Sequence, residues 1–153
     1  MRTTRVFTLL AVGVGVALAC KDTITTAIPS SVEIYTATLN GSNERPNAVT
    51  TSATGAATFT VLGNLVSWKV DITSAIDSVT IGHIHRGVAD SAGGVIVNLS
   101  PTPTGVGFTG TVAIGSATVV DSVLTLMRAG SAYANIHTKK NPGGEIRGQL
   151  KKQ

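Results

Sequence analysis

Over most of its length the chain alternates apolar and polar residues with a period of two. Val66, Trp68, Val70 and Ile72 are interleaved with Ser67, Lys69, Asp71 and Thr73. Successive side chains of a strand point to opposite faces, so this pattern predicts a strand buried on one side only. The same texture, rich in valine, isoleucine and threonine, recurs at Val32–Leu39, Gly55–Leu62, Val79–His85, Val95–Leu99, Phe108–Ile114, Ala132–His137 and Glu145–Leu150. Glycine, proline and asparagine punctuate these runs, and eight strands are predicted. Residues 121–130 (DSVLTLMRAG) differ. They carry N-cap candidates at the start, apolar residues at i, i+1, i+3 and i+4, and a terminating glycine, which predicts a helix of two turns. Short strands without a βαβ rhythm predict an all-β, antiparallel sandwich or barrel in one domain. With one tryptophan, two tyrosines and three phenylalanines, its core must be mostly aliphatic, Trp68 being the largest piece.

The first twenty residues do not fit this texture. Arg2 and Arg5 precede an apolar stretch, Val6 to Val16, that ends in Ala17-Leu18-Ala19-Cys20. This is the layout of a secretory leader, and the apolar stretch is too short for a membrane span of about 20 residues. The only cysteine of the chain sits where a bacterial lipoprotein leader is cut, and residues 16–20 (VALAC) resemble a lipobox. Cys20 is therefore the expected lipidation site, so the membrane is the expected partner and the bacterial cell envelope, facing periplasm or exterior, the expected location. Polar residues 21–31 are expected to be a tether and residues 32–153 the domain.

Removing the leader also changes the charge. Arg2 and Arg5 leave with it, so twelve Lys and Arg become ten against eight Asp and Glu, a net of about +2 in place of +4. Spread along the chain, that balance offers no basic stripe for nucleic acid. The doublets Lys139-Lys140 and Lys151-Lys152 are expected to solvate a loop and a tail. With no second cysteine, the domain must be stable without a disulfide, which about 133 residues are enough to achieve.

Candidate chemistry is confined to the histidines, of which there are three. His83 and His85 stand two apart on a predicted strand, so both point the same way with Cα atoms roughly 6.5 to 7 Å apart. Two imidazoles at that spacing can meet one ion, and His137 is a candidate third ligand, giving a three-nitrogen set with an open position of the kind zinc and copper use. Glu44, Asp90 and Glu145 are the nearest candidate carboxylates. Alternatively the histidines only hydrogen-bond to those carboxylates or to backbone carbonyls and hold loops in place. A weak internal echo bears on both readings: Ile84-His85 and Ile136-His137 are each followed by a polar loop, a glycine pair and another strand. In that register Asn135 takes the place of His83. No nucleophile turn, P-loop or dinucleotide fingerprint is present, so nothing argues for those enzyme classes.

Residues 81–87 (IGHIHRG), Gly94 through Leu99, and residues 132–150 (AYANIHTKKNPGGEIRGQL) resemble the two signatures of the CHRD domain, a family named after chordin. An earlier family element is kept only in part, at residues 39–47 (LNGSNERPN), where Glu44 and Pro46 match and Arg45 and Asn47 depart. The resemblance spans about Val32 to Leu150. It implies an immunoglobulin-like or barrel-like fold with a likeness to copper/zinc superoxide dismutases, and no settled activity. In the dismutases an H-x-H pair supplies copper ligands, a pattern that His83 and His85 match. The second histidine and aspartate cluster and the disulfide of those enzymes have no counterpart here. The function expected is therefore a non-enzymatic binding or structural module, the alternative being a copper or zinc binding protein using His83, His85 and His137 with Glu44 and Glu145 as supporting carboxylates.

Overall fold

The computed structural model describes residues 31–153. The leader, Cys20 and all of the tether but Ser31 lie outside the described residues. Nine strands form one sheet: β1 (Glu33–Asn40), β2 (Thr54–Leu62), β3 (Leu65–Ile76), β4 (Val79–Arg86), β5 (Val95–Asn98), β6 (Phe108–Thr118), β7 (Ala132–Thr138), β8 (Ile146–Gln149) and β9 (Lys151–Lys152), with one helix, α1 (Asp121–Arg128), and a 3₁₀ turn at Gly41–Asn43. Every pairing is antiparallel. Along the sheet the order is β5-β4-β7-β8-β1-β2-β3-β6, with β9 on β1. The segment after β5 draws the two edges together: Thr102 N–H donates to the Val112 carbonyl at 2.8 Å, and Trp68 Nε1 to the Leu99 carbonyl at 3.1 Å. The result is an all-β, nearly closed barrel around one aliphatic core.

The alternation read from the sequence fills that core. Tyr35, Ala37 and Leu39 of β1, Ala57, Phe59 and Val61 of β2, and Val66, Trp68, Val70 and Ile72 of β3 are all buried. In α1, Val123, Leu124 and Met127 cover the end of the barrel. The predicted caps fall one residue off, since Val120 is the N-cap without a side-chain bond and Asp121 instead accepts from Asn64 Nδ2 at 2.7 Å. Gly130, at φ 67, closes the helix in a conformation that suits glycine. The largest shifts are at the ends of β3, which runs on to Ile76, and β6, which runs on to Thr118, while most other bounds move by one residue. Lys151-Lys152 is solvated as expected, both residues being exposed, but it forms a short strand in place of a loose tail. Pairing with β1 brings Lys152 Nζ to 2.8 Å from the Glu33 carboxylate.

Alternation is lost in β7 and in β8, whose first three residues are all buried. All seven residues of β7 are buried. Ala132, Ala134 and Ile136 enter the core, while Tyr133, Asn135 and His137 point outward and are roofed by loops. That roofed outer face, across β4, β7 and β8, holds the histidines.

Candidate metal centre

Pairing of β4 with β7 sets Ile81 opposite His137, His83 opposite Asn135 and His85 opposite Tyr133. All six residues therefore share the outer face. The two hairpins of the sequence echo are β4–β5 and β7–β8, lying back to back, with His83 paired to Asn135 at the centre and His85 and His137 disposed on either side. The imidazoles lean toward that centre. Ring centroids are 5.3 Å apart for His83 and His85, 5.1 Å for His83 and His137, and 5.8 Å for His85 and His137.

Each outer histidine is held by the loop of its own hairpin. His85 Nδ1 donates to the Gly93 carbonyl at 2.9 Å, and His137 Nδ1 to the Pro142 carbonyl at 2.9 Å. Gly93 makes the first bond possible, because a Cβ there would collide with the Arg86 carbonyl and keep the returning chain from closing on His85. A carbonyl acceptor fixes the Nδ1–H tautomer and leaves Nε2 with a free lone pair. At His137 that lone pair faces His83 Nδ1 at 3.2 Å. At His85, Nε2 is buried and has no partner. His85 also stacks on Tyr133, with centroids 5.0 Å apart and rings 6° from parallel, which leaves it little freedom to turn.

The three residues offer one ligand nitrogen each, all within 4.8 Å of one another. Tetrahedral coordination with bonds of about 2.0 to 2.1 Å sets nitrogens about 3.4 Å apart. The His83–His137 pair already has this spacing, and the widest separation must close by no more than about 1.4 Å, within reach of a side-chain adjustment. Electrostatics favour the ligand form. Burial lowers all three histidine pKa values, that of His137 to about 4 with the other two rings adding to the effect. Neutral imidazoles are what a metal requires. The donor set, three imidazoles without thiolate, suits zinc and copper among the biological cations.

The expected carboxylates hydrogen-bond elsewhere. Glu145 accepts from Thr138 Oγ1 at 2.8 Å and from Asn141 Nδ2, bracing the loop that carries Pro142. Glu44 accepts from Asn135 Nδ2 at 3.3 Å, in the middle of the roofed face. Asp90 is exposed and lies 3.5 Å from Arg45. Sequence reasoning missed Tyr133 and Arg147. Arg147 is 2% exposed, its Cζ lies 3.4 Å above the Tyr133 ring, and its Nη2 donates to the carbonyls of Val88 and Ser91 at 2.9 and 2.8 Å. It thereby pins the loop over His85. Nothing in a one-dimensional pattern marks an arginine two residues beyond Glu145 as the post on which a loop rests.

Compared with known proteins, residues 35–150 match the family model of the CHRD domain. Neither the curated proteins nor the solved structures contain a match to the chain.

Proposed function

The chain belongs to the CHRD domain family, and from that premise we propose that it is a non-enzymatic binding module of the cell envelope, anchored by lipid at Cys20, whose binding centre takes one copper or zinc ion. The observation that carries the metal reading is the buried, unpartnered Nε2 of His85 beside a His83–His137 pair already at 3.2 Å. A buried acceptor left without a partner costs about 1 to 3 kcal/mol, a cost that an ion bound there removes. His83, His85 and His137 would hold the ion, which would supply a fixed positive charge with an open position facing the loops. Binding requires one change in the protein. In the metal-free protein the Nδ1–H of His83 donates to His137 Nε2, so for Nδ1 to serve as a ligand His83 would have to change tautomer, carrying its proton on Nε2. The leader layout, together with the finding that no helix of the described residues is long and apolar enough to cross a membrane, supports export with anchoring by lipid.

A second reading, in which the histidines only hold loops, is favoured by the two bonds from Nδ1 to backbone carbonyls. Each ring has two nitrogens, so those bonds serve either reading, and titration separates them. Protein lacking the leader and any tag is expected to take up about one equivalent of Cu²⁺ or Zn²⁺, with copper the tighter of the two. His85→Ala is expected to abolish uptake while the far-UV spectrum stays that of a folded β protein. Absence of uptake at micromolar metal, with His85→Ala merely lowering stability by about 1 to 3 kcal/mol for a lost buried hydrogen bond, would leave the loop-holding role alone.

A further inference from the structure

The described chain enters the barrel at one rim, and that rim is apolar. Five of the ten large apolar residues left exposed among the described residues stand there: Val32, Ile34, Leu62, Leu65 and Val120, each 43 to 66% exposed. Isolated exposed apolar residues are ordinary, whereas adjoining ones mark a contact surface. Register shows that these adjoin. Glu33 pairs with Val61 and Ile34 with Thr60, which sets Val32 beside Leu62. Leu62 pairs with Leu65, and Leu65 with Thr118. In the turn between the two leucines the Asn64 carbonyl accepts from Val119 N–H at 2.9 Å, and Asn64 Nδ2 donates to the Val119 carbonyl at 3.1 Å. Val120 is thereby held against the same turn.

Charge is kept away from this rim. The next outward row of the sheet, Ile34, Thr60, Ser67 and Ser116, carries none. The carboxylates adjoining the rim in sequence are both engaged, Glu33 with Arg128 and Lys152 and Asp121 with Asn64 Nδ2 at 2.7 Å. A cleft between the edge strands β5 and β6, walled in part by Ile96, Val119 and Val123, continues the apolar surface past Val120. An uncharged surface with apolar side chains in a row fits the interfacial region of a bilayer. The chain before the described residues puts that partner within reach. Eleven residues, 21–31, separate Cys20 from Val32, and even fully extended they span at most about 40 Å. A lipid at Cys20 keeps the rim within that distance of the membrane, an effective concentration at which a patch too weak to bind alone stays docked.

We infer that this rim docks on the lipid bilayer, Val32, Leu62, Leu65 and Val120 entering the headgroup region, an inference that rests on the lipid anchor proposed at Cys20. Docking there orients the molecule. His83, Asn135, Arg147 and Asn40 lie in one row across β4, β7, β8 and β1, and Asn40 is roughly 20 Å along β1 from Ile34. The histidine centre is thereby held clear of the bilayer.

The test uses the chain from Cys20 to Gln153, coupled through its only cysteine to a maleimide lipid in phosphatidylcholine nanodiscs that carry a headgroup nitroxide. The coupling supplies the anchor chemically, so the result bears on the rim alone, while fractionation of the Cys20→Ser protein bears on lipidation in the cell. The amide signals of Ile34, Leu62, Leu65 and Val120 are expected to be lost to broadening, and those of Asn40, Thr54 and Ser74, at the other end of β1, β2 and β3, to persist. A tether without docking would also bring the rim near the nitroxide, and Leu62→Ser with Leu65→Ser separates the two cases. Both leucines are exposed, the lipid-free spectrum reports that the fold is kept, and the rim signals are expected to return in this variant. Broadening unchanged in the double variant, broadening spread evenly over the domain, or a lipid-free dimer that the double variant abolishes, which would assign the patch to a second copy, would each overturn the inference.

Discussion

Glu44 shows how far a residue's surroundings can take it from its textual identity. It is 3% exposed, its one hydrogen bond comes from Asn135 Nδ2, and Glu44 Oε1 and Asn135 Oδ1 are both buried without partners. Burial raises its pKa from 4.5 to about 7, the bond from Asn135 opposing the shift only in part. A protonated Glu44 has the hydrogen that Asn135 Oδ1 lacks. Between pH 4.5 and 7 the folded protein therefore keeps a proton that the unfolded chain has lost, so this group's contribution falls as pH rises through that window and is flat above it. Glu44→Gln is expected to remove that slope. It should match the wild type near pH 4.5 and exceed its stability at pH 8 by as much as about 3 kcal/mol in denaturant unfolding. Equal pH dependence in the two proteins would mean that Glu44 is ionised throughout. At this scale the sequence was informative about which residues matter and uninformative about their partners. The H-x-H spacing pointed to His83 and His85, because strand geometry alone puts them on one face. Which nitrogens are spent on Gly93 and Pro142 depends on loops whose course no spacing records.

Among the elements, the link between α1, β1 and β9 is the one most open to experiment. Glu33 opens β1 and is 9% exposed. Arg128, the last residue of α1, reaches it at 2.5 Å and Lys152 of β9 at 2.8 Å, with Tyr35 Oη donating as well at 2.9 Å. The bond from Arg128, followed by that from Lys152, pulls the Glu33 carboxyl from 4.5 to about 2. The stability this provides is complete above about pH 4.5 and is lost as pH falls toward 2. Glu33→Gln is expected to lower the melting temperature at pH 7 and to flatten the acid side of the stability profile. A profile of unchanged steepness would show that other carboxylates set it. Element by element, the period-two pattern placed eight strands because most of them face the core on one side, β7 and β8 being buried on both. The exceptions have two causes: β7 and β8 are covered on both faces, and β9 is held by a partner far away in sequence. Alternation reports burial on a single face and is silent where a loop supplies the second cover.

At the level of the whole molecule, the proposed anchor makes the simplest prediction. Cys20→Ser is expected to move the protein from the membrane fraction to the soluble fraction of the exporting cell, and continued sedimentation with membranes would reject lipid anchoring. The all-β class, the aliphatic core, the CHRD signatures and the identity of the three histidines were all determined by the sequence alone. Each depends on local properties: a run of apolar residues, a period of two, a fixed spacing. Only the tertiary structure decided that β4 lies beside β7 and β8 beside β1, pairs remote in the chain. Their neighbourhood follows from the cooperative closure of one sheet around one core, for which no single segment holds the information. From that closure come the meeting of His137 with His83 and the stack of His85, Tyr133 and Arg147. Residues 81–87 and 132–150 each carry part of the site, and it is complete only where their strands are hydrogen-bonded edge to edge.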